Sequence, residues 1–239
     1  MGVKLERMYY YGRLVDKIAL EIRQTRGLSP EDMLNEMVRF LSFFSSLRKD
    51  DCSWEKLKDI FLGLIRRLDE EKILYAVTGG FAVVMYGRPR TTLDVDIIVD
   101  VNDITELNKL LDIAKASGFM VSDYDFMLAF RERSRAVGIH SEIPVFRLDI
   151  VFASEIDKER LRRARSYHVE CTPVRIVRVE DLIPYLIMYG KIEDALFLLR
   201  KYRDTMDSAL MENLCRRLGV YEKLVELLEE LNDKHSRYI

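Results

Sequence analysis

The chain is short of several residue types, and each shortage narrows what it can be. Its 239 residues hold three cysteines, Cys52, Cys171 and Cys215. They are odd in number and far apart, which argues against a disulfide framework or a zinc cluster and fits a reducing, cytoplasmic setting. The three histidines, His140, His168 and His235, are scattered, so none reads as catalytic. A single glutamine, Gln24, stands beside 38 basic and 40 acidic residues, a balance that leans towards thermophilic composition. No apolar run approaches the length of a membrane span, so no membrane partner is expected. Residues 1–7 carry charges without an apolar stretch, unlike a secretory leader. A formal net charge of −2 gives no global attraction to nucleic acid or anionic lipid.

What is present suits a globular protein. Apolar residues make up 49% and charged residues 33%, enough for a sizeable core in one large domain or two small ones. Three regions follow from the pattern. Residues 1–71 read as a helical segment. Leu14, Ile18 and Ile22 make one stripe, and Ser29 with Pro30 starts a second helix bearing Met33, Met37, Phe40, Leu41 and Phe44. Trp54, Leu57, Phe61, Leu64 and Leu68 make a third stripe.

Residues 72–180 mix strands, expected at 73–77, 93–99, 145–152 and 174–179, with helices. One helix is capped by Asn102 or Asp103 and runs to Gly118. Another covers 157–165, with Arg160, Arg162, Arg163 and Arg165 on a solvated face. Stretches 119–121 and 126–130 read as strands or short irregular pieces, with Asp123 and Asp125 in loops. Residues 181–239 return to helix, punctuated by Gly190 and Gly219.

The chemistry concentrates in 77–100. Side chains of a strand alternate faces, so Asp94 and Asp96 point one way while Val95, Ile97 and Val99 enter the core. Two neighbouring carboxylates repel, and a divalent cation between them keeps both ionised. Mg²⁺ takes one or two carboxylates plus phosphate oxygens. Gly79 and Gly80, lacking Cβ atoms, let backbone N–H groups approach such a ligand. A third acid comes from 145–152, where Phe146, Leu148 and Ile150 face the core and leave Asp149 on the other side.

Glycine pair, hydroxyl-bearing turn and Asp-x-Asp strand, in that order, resemble the nucleotidyltransferase superfamily related to DNA polymerase beta. The run Arg90-Thr91-Thr92-Leu93-Asp94-Val95-Asp96 is similar to the signature of its prokaryotic branch, which contains AbiEii-type toxins. The resemblance spans roughly residues 72–180. It implies an α+β fold with a mixed sheet and transfer of a nucleoside monophosphate from a nucleoside triphosphate (NTP) to an acceptor. It implies Asp94, Asp96 and Asp149 as catalytic ligands of Mg²⁺ or Mn²⁺. Thr78, Gly79, Gly80, Arg90, Thr92 and Lys191 would attend the nucleotide.

The acceptor is left open among RNA or tRNA, a protein hydroxyl and a small molecule. In AbiEii-like relatives the helix after the core carries a Lys, a second cation and an Asp. Lys191 and Asp194 stand at two of these places, but Leu186 occupies the first. A non-catalytic, antitoxin-like module that binds nucleotide or a cognate partner protein is the alternative.

Overall fold

A computed structural model describes residues 54–88, 90 and 92–236. The helices expected over 14–44, Cys52 and Thr91 lie outside the described residues. In chain order the elements are α1 (Trp54–Glu70), β1 (Leu74–Thr78), α2 (Gly79–Met85), β2 (Asp94–Asp100), α3 (Ile104–Ala116), β3 (Phe119–Met120), α4 (Asp123–Glu132), β4 (Arg135–His140), β5 (Arg147–Phe152), α5 (Glu155–Arg163), β6 (Arg165–Val169), β7 (Thr172–Ile176), α6 (Val179–Met188), α7 (Ile192–Tyr202), α8 (Ser208–Arg217) and α9 (Tyr221–Ser236). The strands form one mixed sheet in the order β3-β4-β5-β2-β1-β7-β6. The expected α+β architecture is therefore the one observed. Among the described residues no helix is long and apolar enough to cross a membrane.

Alternate residues of the central strands bury one face of the sheet in the core. Register places Tyr75 beside Val99 and Val77 beside Ile97 across β1 and β2, and Val95, Ile97 and Val99 beside Leu148, Ile150 and Phe152 across β2 and β5. All eight side chains are buried. Each contributes roughly 1.5–3 kcal/mol of apolar burial, which is what holds the register. The stripe on α1 is buried as its spacing predicts, at Leu57, Phe61, Leu64 and Leu68. It meets α2 through the Phe61 and Phe81 rings, 5.0 Å apart.

The C-terminal helices share this core through Leu182, Ile183, Leu198 and Leu224. α7 also grips the end of α2, where the Tyr86 carbonyl accepts from Lys201 Nζ at 3.1 Å and from the Tyr202 hydroxyl at 3.0 Å. The Tyr86 hydroxyl in turn donates to the Val177 carbonyl at 2.7 Å.

Several expectations are corrected. Residues 126–130 lie within helix α4, not in a strand or irregular piece. Ser122 caps it by accepting from the Asp125 N–H, so Asp123 and Asp125 sit in the first turn, where acidic groups favour a helix start, and not in a loop. β4 has no counterpart in the sequence reading, because its outward positions alternate Arg135, Val137 and Ile139 with only small or polar residues inward. The basic helix ends at Arg163, and Arg165 begins β6. Its face is not uniformly solvated, since Arg160 is buried.

Candidate active site

Sheet register assembles the acids. In the parallel pairing of β2 with β5, Asp96 lies opposite Asp149 and Asp94 opposite Arg147. In the antiparallel pairing of β1 with β2, Thr78 lies opposite Asp96. Directly opposed residues share a face, so Asp149, Asp96 and Thr78 form a row across three strands. Asp149 is buried and Asp96 half-buried. Burial, and then the charge of Asp149, push the Asp96 carboxyl up to about 6, against the lowering effect of the Gly80 N–H that donates to its Oδ2 at 3.4 Å. Burial also raises Asp149, opposed by two arginines. Arg135 Nη1 stands 3.1 Å and Arg147 Nη2 3.7 Å from Asp149 Oδ2. Arg147 Nε also reaches Asp94 Oδ1 at 3.1 Å. The second oxygen of Asp149, Oδ1, is buried without a hydrogen-bond partner among the described residues.

The glycine pair stands against this row. Gly79 has a φ of +58°, and a Cβ there would lie 2.0 Å from Asp96 Oδ2. At Gly80 a Cβ would lie 2.6 Å from Thr92 Oγ1 and 3.4 Å from Arg90 Nη2. Only glycine lets β1 turn so closely past the carboxylate. Thr92 is buried, and its hydroxyl donates to the Asp94 carbonyl at 3.3 Å, bracing the approach to β2. The Arg90 guanidinium thus sits beside Gly80. A cavity of about 420 Å³ opens between Arg90, Thr92, Asp94, Val145 and Arg147.

Arg90 is held from the C-terminal helices. Its Nη1 pairs with Asp194 Oδ2 at 2.5 Å, and Arg88 pairs with the other Asp194 oxygen and with Glu193 at 2.9 Å. Asp194 is only 4% exposed, whereas both arginines retain some solvent contact. Replacing Asp194 by alanine therefore removes a buried anion and leaves two cations able to rehydrate. The expected cost is about 2 kcal/mol, below that of stranding a fully buried charge. Denaturant unfolding of Asp194→Ala against wild type measures it.

The structure brings together Thr78, Gly79, Gly80, Arg90, Thr92, Asp94, Asp96 and Asp149. It does not bring Lys191 to them. That residue is exposed at the N-cap of α7, with no hydrogen bond or ion pair to the others among the described residues. Leu186 is buried and packs in the core. Sequence reasoning missed Arg135 and Arg147 as partners of the acids. For Arg147 a signal existed, since it precedes Asp149 by two positions on one strand and so shares its face. Among the described residues, no three His, Cys, Asp or Glu side chains converge closely enough by themselves to define a metal cage.

A mixed sheet carrying paired carboxylates beside a double glycine is the arrangement that the resemblance seen in the sequence implies. The chain matches, over residues 57–233, the family described as "Nucleotidyl transferase of unknown function (DUF2204)", and it belongs to that family. Solved structures of similar shape include the antibiotic-resistance factor ANT(2'')-Ia, 16% identical, with 75% of this chain and 100% of that chain covered and a TM-score of 0.45. An antigenic nucleotidyltransferase-like protein from Paracoccidioides brasiliensis is 16% identical, with 73% and 93% covered and a TM-score of 0.44. The lincosamide antibiotic adenylyltransferase LnuA, in its lincomycin-bound form, is 16% identical, with 62% and 97% covered and a TM-score of 0.45. No curated protein matches the sequence.

Proposed function

We propose that the row of Asp149 and Asp96, with Asp94 beside it, is the centre of a Mg²⁺- or Mn²⁺-dependent nucleotidyltransferase that moves a nucleoside monophosphate from an NTP to an acceptor hydroxyl. The observation that carries the reading is the juxtaposition of two buried or half-buried carboxylates across β2 and β5, one with an unpartnered oxygen, at the glycine pair. Such a pair fits a hard divalent cation, which takes one or two carboxylates and completes its shell with phosphate and water. When bound, the cation supplies charge stabilisation for the entering and leaving oxygens.

The chain's own residues have the following roles in this reading. Asp94, Asp96 and Asp149 would hold the cation. Gly79 and Gly80 clear space for the phosphates. Arg90, anchored by Asp194, neutralises phosphate charge, and Thr78 and Thr92 shape the floor. Asp149, its pKa raised by burial, accepts the proton of the attacking hydroxyl. The 72–180 core supplies the acids and the 181–239 helices supply Asp194, with 1–71 preceding both.

The acceptor falls among RNA or tRNA, a protein and a small molecule. The test is incubation with each labelled NTP, Mg²⁺ or Mn²⁺, and total RNA, the protein itself or small hydroxyl compounds, following label transfer and pyrophosphate release. Sustained, metal-dependent release is expected. Nucleotide binding without turnover under every condition would overturn transfer. That result would favour a second reading, a regulatory, antitoxin-like module with a cognate partner protein. Arg135 and Arg147, which already neutralise the acids, and Leu186, at a place where similar proteins carry Lys, support this second reading.

A further inference from the structure

We infer that Arg160 is a positioning residue for nucleotide binding that acts through the hydroxyl of Thr78; the inference rests on the nucleotidyltransferase reading of the site. Arg160 lies on α5 and is 2% exposed. Burying a guanidinium is costly unless its donors are matched. Here Nη1 donates to Asp157 Oδ1 at 2.8 Å, and Nη2 donates to Thr78 Oγ1 at 3.1 Å. The guanidinium lies 3.6 Å from the centre of the Tyr185 ring, and the Tyr185 hydroxyl donates to the same Asp157 oxygen at 3.0 Å. Asp157 is itself locked by Ser154, whose Oγ donates to Oδ2 at 2.6 Å. Nε remains buried with no partner among the described residues. An apolar side chain of similar volume would strand the buried Asp157 carboxylate, so the ion pair accounts for one arm of the guanidinium. The other arm, Nη2, is spent on Thr78.

Thr78 stands at the end of β1, opposite Asp96 and directly before Gly79. It is the N-cap residue of α2, yet its side chain makes no capping hydrogen bond. A hydroxyl has one donor and two acceptor positions. Arg160 takes an acceptor position, which restricts the rotor and leaves the O–H to donate outward. A positive charge behind the oxygen strengthens that donation towards an anion. The chemical class that fits, over the glycine pair and beside Asp96, is the phosphate chain of an NTP. The row across the sheet then reads carboxylate, carboxylate, hydroxyl, with a buried cation setting the last.

The experiment is calorimetric titration of ATP, GTP, CTP and UTP, each with Mg²⁺, into the full chain. Wild type is compared with Thr78→Val, Thr78→Ser, Arg160→Met and the Thr78→Val/Arg160→Met pair. Thr78→Val is expected to weaken binding of the preferred NTP about tenfold, as loss of one hydrogen bond to a charged group does, and Thr78→Ser to restore it. Arg160→Met is expected to weaken it about as much, and the double variant no further, because the arginine works through the hydroxyl. Arg160→Lys, which loses the fork that joins Asp157 to Thr78, replaces Arg160→Met if the latter does not fold, with the same expectation. Additive losses in the double variant, or wild-type affinity in Thr78→Val, overturn the role of Arg160 while leaving the nucleotidyltransferase reading standing. Absence of NTP binding by wild type overturns both.

Discussion

Replacing Asp96 with asparagine should abolish nucleotidyl transfer and, at neutral pH, make the metal-free protein more stable. Both effects come from one carboxylate. In the fold its pKa is pushed from the model-peptide value of 3.8 to about 6, first by burial and then by Asp149. At pH 7 the group is ionised in the folded and the unfolded chain, and the folded chain bears the cost of that ionisation, about 3 kcal/mol by linkage. Below about pH 4 the group is protonated in both states and the cost vanishes. Wild-type stability on this account falls as pH rises from about 4 to 6 and stays lowered above it. Asparagine keeps an acceptor for the Gly80 N–H and carries no charge.

Urea unfolding without metal should therefore show Asp96→Asn more stable than wild type by up to about 3 kcal/mol at pH 7.5, with the gap narrowing to about 1 kcal/mol at pH 4.5 and closing below about pH 4. Mg²⁺ with NTP should raise the melting temperature of wild type and not of the variant, since a ligand stabilises only the state that binds it. A variant less stable than metal-free wild type at pH 7.5 would assign Asp96 a structural pairing role and remove it from the centre.

Gly79→Ala is expected to be the most damaging small substitution in the described chain. The new Cβ would fall 2.0 Å from Asp96 Oδ2 and 2.5 Å from its Cγ, so the strand or the carboxylate must move. The φ of +58° adds the left-handed penalty of roughly 1–2 kcal/mol for a residue with a Cβ. Together these should cost about 3–5 kcal/mol, in the range reserved for overpacking and backbone strain, and displace Asp96 from Asp149. Gly190→Ala is the control. It has a φ of +68° but nothing within 4 Å of its Cβ position, so the backbone penalty alone, about 1 kcal/mol, should appear. Equal losses in the two variants would show that the close approach of Gly79 to Asp96 carries no weight. Nucleotide binding, measured beside stability, should fail in Gly79→Ala and persist in Gly190→Ala.

The acids and the glycines were legible before any fold was known, because their placement depends on local geometry. Period-two alternation put Asp94 and Asp96 on one face and set Asp149 against Phe146, Leu148 and Ile150. The same rule, applied to Arg147, would have revealed its contact with the acids. The amphipathic stripe of α1 was equally plain, because five apolar residues at helical spacing leave little choice. α4 was harder to read: Asp123 and Asp125 look like loop residues until Ser122 is seen to cap them, and its apolar residues fit a strand as well as a helix.

What residue order determined by itself was therefore the facing of the acids and the place of the glycines, since strand alternation and the absence of a Cβ are properties of a few consecutive residues. Tertiary structure alone decided what each charge answers to. Arg90 meets Asp194 and Arg160 meets Thr78 across long stretches of chain. A nine-residue helix bearing four charges within one turn has no periodicity that marks Arg160 as the inward one. Whether an arginine is solvated or buried is set by the partners packed against it, here Asp157, Tyr185 and Thr78, and two of those three come from elements that only the folded sheet and the returning helix α6 bring to its side.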